Sequence, residues 1–184
     1  MEKKDRGVTP IAVLKGKRFI LRPIRMSDAK PYFESMQDKD TKKGFMTFPK
    51  TLNEAKKEIK EHIQKSRKKT SETFVMEING EYAGYVKIDY ENWNRSEHRG
   101  RIHYCTHPKF RGKGLTTKAV KIVTDYGFRK LKFKRIVGQC RSFNKASARV
   151  LKKAGYKLEG ILRKDAFKNG KYYDNMVWAK LRRK

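Results

Sequence analysis

Residues 105–130 restrict the fold of this chain most strongly, because a strand pattern, a glycine-rich loop and a long amphipathic pattern follow one another directly. The loop, residues 111–116, reads Arg-Gly-Lys-Gly-Leu-Thr. Apolar residues then recur at helical spacing, which predicts a helix from about Lys113 to Lys130. The first N–H groups of a helix have no partner within it and lie at the positive end of its dipole. Since glycine lets a ligand approach the backbone closely, the loop predicts a phosphate site.

Several kinds of phosphate-binding loop share these properties, and their spacings distinguish them. The chain lacks the GxxxxGK(S/T) pattern of P-loop nucleotide hydrolases and the GxGxxG pattern of dinucleotide-binding folds. A basic glycine loop can also contact nucleic acid, and this alternative stays open at this point.

The chain carries a large excess of positive charge, which favours negatively charged binding partners. The 184 residues include 48 lysines and arginines against 19 aspartates and glutamates, a formal net charge of +29. Such a surface attracts polyanions such as RNA, ribosomes, acidic proteins and small phosphorylated molecules, and it repels free polyamines unless an acidic pocket shields them. The same charge could serve solubility alone, and the sequence leaves both explanations open.

Neither a metal centre nor a membrane segment is expected. Cys105 and Cys140 form no CxxC pair, so we expect two reduced cysteines rather than a zinc site. No apolar run approaches the roughly 18 residues that span a bilayer. Residues 1–16 are basic and lack the apolar segment of a signal peptide, which predicts a loose N-terminal tail. We therefore expect a cytoplasmic protein without a bound metal.

Two segments resemble the signatures of the GNAT acetyltransferase superfamily. Residues 107–119, HPKFRGKGLTTKA, are similar to its acyl-CoA motif, Arg/Gln-x-x-Gly-x-Gly/Ala between a strand and a helix, with Thr116 where the family has Gly or Ala. Residues 144–156, NKASARVLKKAGY, resemble its second signature, Asn-x-x-Ser followed by Gly-Phe/Tyr. With Leu-Arg-Pro at 21–23 and Leu-Glu-Gly at 158–160, the set resembles the RimJ/RimL branch, which includes ribosomal-protein N-terminal acetyltransferases.

The resemblance implies a single GNAT domain at residues 17–184 behind the tail. Its fold class would be α+β, with a twisted, mixed but mostly antiparallel sheet of about seven strands and about four flanking helices. Residues 38–50, rich in lysine and punctuated by glycine and proline, predict a loop. The residue patterns predict strands at 19–24, 73–78, 82–90, 99–107, 135–140, 156–163 and 172–181, and helices at about 28–36, 51–67, 113–130 and 144–154.

The resemblance also implies a binding site for acetyl-CoA. The loop at 111–116 would offer backbone amides to the pyrophosphate, and the end of the strand at 99–107 would pair with the pantetheine arm where it splays from its neighbour. The implied cofactor-binding residues are Cys105, Thr106, His107, Arg111, Gly112, Lys113, Gly114, Leu115, Thr116, Asn144 and Ser147.

The expected reaction is direct attack of a neutral amine on the acetyl thioester. Ser147 is the candidate catalytic residue, as hydrogen-bond donor to the departing thiolate, with a purely local helix-capping role as the alternative. A backbone amide near Cys105 is the candidate donor to the thioester carbonyl. Leu151 stands where many relatives outside this branch have a tyrosine acid.

Several groups are candidates for the general base that takes the proton of the attacking amine. The candidates are His103, Glu159 and Asp165, with water-relayed proton loss as the default. Trp93, Phe33 and Met36 lie in segments that line the acceptor side in this family, although packing is the preferred role for Phe33 and Met36.

Three functions therefore remain. The first is N-acetylation of a protein or peptide N-terminus, of the ribosomal-protein type, with ribosome or RNA association through the basic surface. The second is acetylation of a small amine such as an amino acid or an antibiotic. The third is a nucleic-acid-binding protein without catalysis.

Overall fold

The computed structural model describes residues 12–91 and 98–183, which contain eight strands and five helices. The strands are β1 (Leu14–Lys15), β2 (Ile20–Pro23), β3 (Ser71–Ile78), β4 (Glu81–Glu91), β5 (Arg99–Thr106), β6 (Arg135–Arg141), β7 (Lys157–Lys168) and β8 (Lys171–Leu181). The helices are α1 (Ala29–Gln37), α2 (Lys39–Gly44), α3 (Leu52–Arg67), α4 (Leu115–Arg129) and α5 (Lys145–Lys153).

All eight strands form one sheet in the order β1-β2-β3-β4-β5-β6-β8-β7. Strands β5 and β6 run parallel, and the other neighbouring pairs among the described strands are antiparallel. The predicted mixed, mostly antiparallel α+β fold is confirmed, with eight strands and five helices instead of about seven and four. The additional elements are β1, within the segment predicted as a tail, and α2, within the segment predicted as a loop. A two-residue strand is too short to show a periodicity, and α2 has no apolar stripe.

Two Asn-Gly pairs close the β3–β4 and β7–β8 hairpins. Asn79 and Gly80 have φ values of +49° and +80°, and Asn169 and Gly170 have φ values of +50° and +74°. Positive φ at both central residues is typical of the type I′ turn, whose twist matches that of the flanking strands. Both turns therefore have the conformation that an Asn-Gly pair favours between antiparallel strands.

Helix α3 begins directly after Thr51, which caps it. The Thr51 hydroxyl accepts a hydrogen bond from the Glu54 N–H at 3.2 Å, which satisfies one of the free N–H groups of the first turn. Ala55 and Ile59 are fully buried, while Lys56, Lys57 and neighbouring lysines are exposed. The helix therefore buries one apolar stripe against the sheet and presents a basic face to solvent.

Helices cover both faces of the sheet. On one face, residues of α4 and α5 such as Val123 and Leu151 pack with Phe74 of β3 and Ile136 of β6. On the other face, residues of α1 and α3 pack with Val75, which follows Phe74 and points the opposite way. The face covered by α4 and α5 is called the α4/α5 face below, and the opposite one the α1/α3 face.

Two predictions concern residues outside the described ranges: Trp93, and residues 1–11 of the tail. Met36 is 1% exposed in the core of the α1/α3 face and Phe33 packs at its margin, as expected for packing residues. Within the described part of the chain, no helix has the length and apolar character needed to cross a bilayer.

Candidate active site

Gly112 and Gly114 give the loop before α4 its shape. Their φ values are +78° and +70°, in the left-handed region that favours glycine, and Gly114 is the N-cap residue of α4. A Cβ atom built on either glycine would meet no atom within 4 Å. The backbone conformation, rather than crowding, therefore requires glycine, and the space in front of the loop is open. No side chain caps the first N–H groups of α4, so these donors are available to a ligand.

Strands β5 and β6 separate before either strand ends. Their parallel pairing runs from Arg99 and Arg135 to Ile102 and Gly138, although β5 continues to residue 106 and β6 to residue 141. A Cβ atom on Gly138 would lie 2.6 Å from Leu151 Cδ2, so glycine here lets α5 pack directly on the point of separation. The predicted splay of the strand at 99–107 is therefore present.

The backbone groups that face the gap belong to Tyr104 and Thr106. The His107 N–H donates to the Ala83 carbonyl at 3.0 Å, which fixes the phase of the β4–β5 hydrogen bonds. Because these groups alternate along a strand, the N–H and C=O of Cys105 point to β4, whereas those of Tyr104 and Thr106 point towards β6. An extended ligand in the gap would pair with Tyr104 and Thr106.

A cavity of about 740 Å³ joins the loop and the gap. Its walls come from the end of β5, the loop, the N-terminal part of α4, residues 143–153 and residues 40–45. Eight of the eleven predicted cofactor-binding residues line it: Cys105, Thr106, Arg111, Gly112, Gly114, Thr116, Asn144 and Ser147. The lining carries five cationic side chains, Lys43, Arg111, Lys145, Arg149 and Lys153, against one carboxylate, Asp40.

The other three predicted residues have side chains directed elsewhere. His107 packs edge-on against Phe110, with 6.1 Å between ring centroids, and shapes the 3₁₀ turn at 108–110. Lys113 is exposed, with Nζ 5.6 Å from the centroid of the same ring. Leu115 is buried in the core of the α4/α5 face. A contribution from Leu115 would therefore come from its backbone N–H.

The Arg111 side chain is tied to the start of α2. Its Nη2 lies 2.6 Å from Asp38 Oδ2 and 2.6 Å from Thr41 Oγ1, and Asp38 also caps α2 by accepting from the Thr41 N–H. Burial works to raise the pKa of Asp38, but the hydrogen bonds from Arg111 and Thr41 outweigh it and hold the pKa below its usual value. Sequence reasoning missed both partners because they lie about 70 residues away, in a segment that reads as a loop.

Ser147 lies in the first turn of α5 and contacts a tyrosine of β5. Its N–H donates to Asn144 Oδ1 at 3.0 Å, so Asn144 caps α5. Its hydroxyl oxygen lies 2.7 Å from the Tyr104 hydroxyl oxygen. Burial raises the pKa of Tyr104 well above its usual range, so the phenol keeps its proton. Tyr104 is a functional candidate that the sequence did not reveal, since it reads as one more strand aromatic.

Among the predicted bases, His103 lies beside a carboxylate that a lysine also contacts. Its Nε2 lies 3.0 Å from Asp89 Oδ2, and Lys87 Nζ lies 2.9 Å from the same oxygen. Burial tends to raise the pKa of Asp89, but hydrogen bonds from His103 and Lys87 bring it far below its usual value. The imidazole therefore has a permanently ionised carboxylate as its partner on the α1/α3 face.

Glu159 and Asp165 differ in their positions. Glu159 is paired with both Nη atoms of Arg135, at the start of β6 and away from the loop, which holds its pKa below the usual value. This position separates Glu159 from the cavity, because the gap opens at the other end of β6. Asp165 lies nearer the gap and accepts from Asn175 Nδ2 at 2.5 Å.

His62, expected at the surface, is half-buried against Tyr32 and Tyr85. Its Nδ1 lies 3.0 Å from Thr73 Oγ1. Burial and the charges of Lys87 and Lys65 lower the pKa of His62 to about 4, so the ring is neutral near pH 7. The helical spacing of α3 did not show this, because the partners belong to α1 and β4.

Comparison with known proteins decides the family. Residues 18–157 match the acetyltransferase (GNAT) domain. The chain belongs to the GNAT acetyltransferase family. The family assignment and the prediction of an acetyltransferase enzyme are thereby confirmed. The loop, the gap and the cavity described above are parts of this GNAT domain.

Similar proteins include enzymes with different acceptors in their names. Over 165 residues the chain is 26% identical to the uncharacterized N-acetyltransferase YnaD of Bacillus subtilis, covering 89% of this chain and 93% of YnaD. Over 99 residues it is 33% identical to the spermidine N(1)-acetyltransferase of Escherichia coli, covering 54% and 52% of the two chains. The solved structure of RimL, a ribosomal L7/L12 α-N-protein acetyltransferase in complex with coenzyme A, has a TM-score of 0.83 at 20% identity and covers 92% of this chain and 98% of RimL.

Proposed function

We propose that this GNAT enzyme transfers the acetyl group of acetyl-CoA to a primary amine, with a protein or peptide N-terminus as the first acceptor class. The observation that carries the proposal is that one cavity joins the uncapped N-terminus of α4 to the gap between β5 and β6. A diphosphate fits the first feature and an extended amide-containing arm fits the second.

The donor would be held mainly by backbone groups. The N–H groups of residues 111–116 would bind the pyrophosphate, and the N–H and C=O groups of Tyr104 and Thr106 would pair with the pantetheine arm. The candidate donor to the thioester carbonyl, predicted as a backbone amide near Cys105, would then be the N–H of Tyr104 or Thr106, the two neighbours of Cys105 whose amides face the gap. The Cys105 thiol is buried, which raises its pKa to about 11, so it is a packing residue rather than a nucleophile.

Ser147 is proposed to stabilise the departing thiolate. Its hydroxyl group lines the cavity and has a fixed neighbour in Tyr104, which can hold the serine rotamer in one orientation. Leu151 is fully buried in the core, so α5 offers no acid at that position. Tyr104 would be a positioning residue, acting through Ser147.

The proton of the attacking amine would leave towards the α1/α3 face, directly to His103 or through water. The Asp89 carboxylate, 3.0 Å from Nε2, would orient the imidazole for this role. Glu159 is set aside as a base because Arg135 holds it at the far end of β6.

The acceptor class is supported by relatives with a similar fold. RimL is named for the N-terminus of a ribosomal protein, and a ribosomal-protein-S5-alanine acetyltransferase from Vibrio fischeri has a TM-score of 0.81 at 20% identity. A small amine is the alternative, supported by the 25% identity over 105 residues to the L-amino acid N-acetyltransferase AaaT of Escherichia coli. Ribosome or RNA association through the basic face of α3 would suit a protein acceptor. The cytoplasmic location stays a prediction.

Titration calorimetry with acetyl-CoA tests the donor site, and release of free thiol against a panel of peptides and small amines tests the acceptor. We expect binding, and turnover with peptide N-termini. Turnover with small amines alone would replace the first acceptor class by the second. If the purified protein binds neither coenzyme A nor its acyl forms, the proposed function is wrong. Salt-dependent RNA binding without acetyl-CoA binding would instead support the nucleic-acid-binding alternative.

A further inference from the structure

Arg141 is a buried cation beside the proposed active site. It is the last residue of β6 and only 7% exposed. Across residues 12–91 and 98–183, no aspartate or glutamate lies within ion-pair distance of its guanidinium. Burial of a charge is costly unless the charge is paired, so a guanidinium in this state indicates a partner of opposite charge.

The contacts of Arg141 leave part of its hydrogen-bonding capacity for a ligand. Its Nη1 donates to Asn175 Oδ1 at 2.7 Å, and its Nη2 faces the Met46 sulfur, which is a weak acceptor. Asn175 in turn donates to Asp165 Oδ2, so an amide separates the guanidinium from the nearest carboxylate of this network. Met46 is 48% exposed and covers the guanidinium from the outside.

A second cation lies in the same region. Lys168 Nζ donates to the carbonyl oxygens of Lys42 and Phe45 at 2.5 and 2.6 Å. Burial lowers the pKa of Lys168, and the nearby charge of Arg141 lowers it further. The two positive groups therefore experience each other's field, and an anion between them would relieve both.

The position of Arg141 is on the side from which an amine would approach. Cys140 packs into the α4/α5 face, so the next residue along β6 points to the α1/α3 face. Phe143 and Asn144, two and three residues further on, line the proposed donor cavity, and so does Phe45, whose carbonyl binds Lys168. The cation pair thus lies behind the wall of the cavity, at the end of β6 where the gap opens.

On the basis of the proposed acetyl transfer, we propose that Arg141, Asn175 and Lys168 form a site for a carboxylate of the acceptor. A carboxylate would displace Met46 and accept from the planar guanidinium, whose geometry matches it. It could be the α-carboxylate of an amino acid or an acidic side chain near a peptide N-terminus, and the experiment distinguishes these two sources. The site disfavours polyamines, which would bring further positive charge to the buried Arg141 and the half-buried Lys168.

The test compares acceptors with and without the carboxylate, using the wild-type enzyme and expressing each kcat/KM per concentration of neutral amine. One arm measures kcat/KM for alanine against alaninamide, and the other for amidated Ala-Asp-Ala against amidated Ala-Asn-Ala. Charge-assisted hydrogen bonds predict a preference for the carboxylate acceptor of roughly 10- to 100-fold in at least one arm. The arm that shows the preference identifies the source of the carboxylate.

Two variants locate the effect. Arg141→Met keeps the length of the side chain without its charge and should reduce the preference to about equal kcat/KM values, with acetyl-CoA affinity unchanged. Arg135→Met, at the opposite end of β6, removes another part-buried arginine and should keep the full preference. Circular dichroism of both variants checks folding. If Arg141→Met does not fold, the lack of any carboxylate preference in the wild-type enzyme would still overturn the proposal, and retention of the full preference in a folded Arg141→Met would overturn it too.

Failure here is distinguishable from failure of the proposed function. If acetyl-CoA binds and is consumed equally well with carboxylate and amide acceptors, the carboxylate site is wrong and the acetyltransferase function stands. A preference for spermidine over every carboxylate probe would also overturn the carboxylate site. Acetyl-CoA binding without turnover of any carboxylate probe would overturn that site too. Absence of acetyl-CoA binding would overturn both proposals.

Discussion

The hydroxyl oxygens of Tyr104 and Ser147 lie 2.7 Å apart, and this contact joins β5 to the first turn of α5. A second tyrosine pairs with a hydroxyl group in the same way: Tyr156 lies 2.7 Å from Thr124, but that pair is buried in the core. One pair faces the cavity and the other does not, so the second pair is a matched control for the first.

Ser147→Ala is expected to lower kcat by roughly 10²-fold, the lower end of general-acid contributions, because the thiolate would leave without its hydrogen bond. The dissociation constant for acetyl-CoA should change little, since backbone groups are proposed to hold the donor. Steady-state kinetics with calorimetry separates the two effects. Thr124→Val should lower the thermal midpoint but leave kcat unchanged, and an unaltered kcat in Ser147→Ala would contradict the assignment.

Gly114→Val should weaken acetyl-CoA binding and also destabilise the fold. A left-handed conformation costs a residue with a side chain about 1–2 kcal/mol, and a β-branched side chain would also crowd the open space before the loop. Gly80 offers a matched control, because its φ is +80° and a Cβ atom there also meets no neighbour within 4 Å. Gly80→Val should lose comparable stability in urea denaturation while keeping acetyl-CoA affinity, and equal affinity in both variants would exclude the loop as the diphosphate site.

The ion pair between Asp38 and Arg111 predicts a pH-dependent contribution to stability. The folded-state pKa of Asp38 lies below its unfolded value of about 3.9, so the stabilisation is present above pH 4 and disappears as pH falls through the folded pKa. Because both groups are partly exposed, the free energy involved is about 1 kcal/mol or less. Asp38→Asn keeps a good capping residue, and its stability deficit in urea should be present at pH 7 and smaller at pH 3.

Asp40 is the control for this measurement. Its ion pair with Lys43 is largely exposed, so Asp40→Asn should match the wild-type protein within error at both pH values. A deficit for Asp38→Asn that stays constant from pH 7 to pH 3 would show that the carboxylate charge contributes nothing.

His103→Gln tests the identity of the base. If the imidazole accepts the amine proton, the variant should lose most of its kcat/KM while its affinity for acetyl-CoA is kept. His98→Gln, a change at an exposed histidine, should preserve both quantities. An unchanged kcat/KM in His103→Gln would favour water-relayed proton loss.

The features that the sequence predicted are those encoded by short stretches of chain. The glycines of the loop and the starts of α3 and α5, at Thr51 and Asn144, act within a few residues, where local conformational preferences decide the structure.

The features that the sequence did not predict depend on distant parts of the chain. Arg111 contacts Asp38 and Tyr104 contacts Ser147, and both contacts exist only after the sheet has assembled. The position of the Glu159 side chain was not predictable either. It depends on the turn between β7 and β8 and on two shifts of register in the pairing of these strands. Which amides of β5 face the gap was not predictable either, because it depends on which residues bond to β4. The hydrogen bond from the His107 N–H to the Ala83 carbonyl shows this in the folded protein.

The contact of Leu151 with Gly138 couples the two halves of the donor site. Helix α5 carries both this leucine and Ser147, so any shift of the helix that alters the wedge between the parallel strands also moves the serine hydroxyl. One motion of α5 would therefore both widen the gap between β5 and β6 and displace the proposed hydrogen-bond donor to the thiolate. An enlarged residue at position 138 should lower cofactor retention and turnover together, although its side chain would lie in the protein core and away from the thioester.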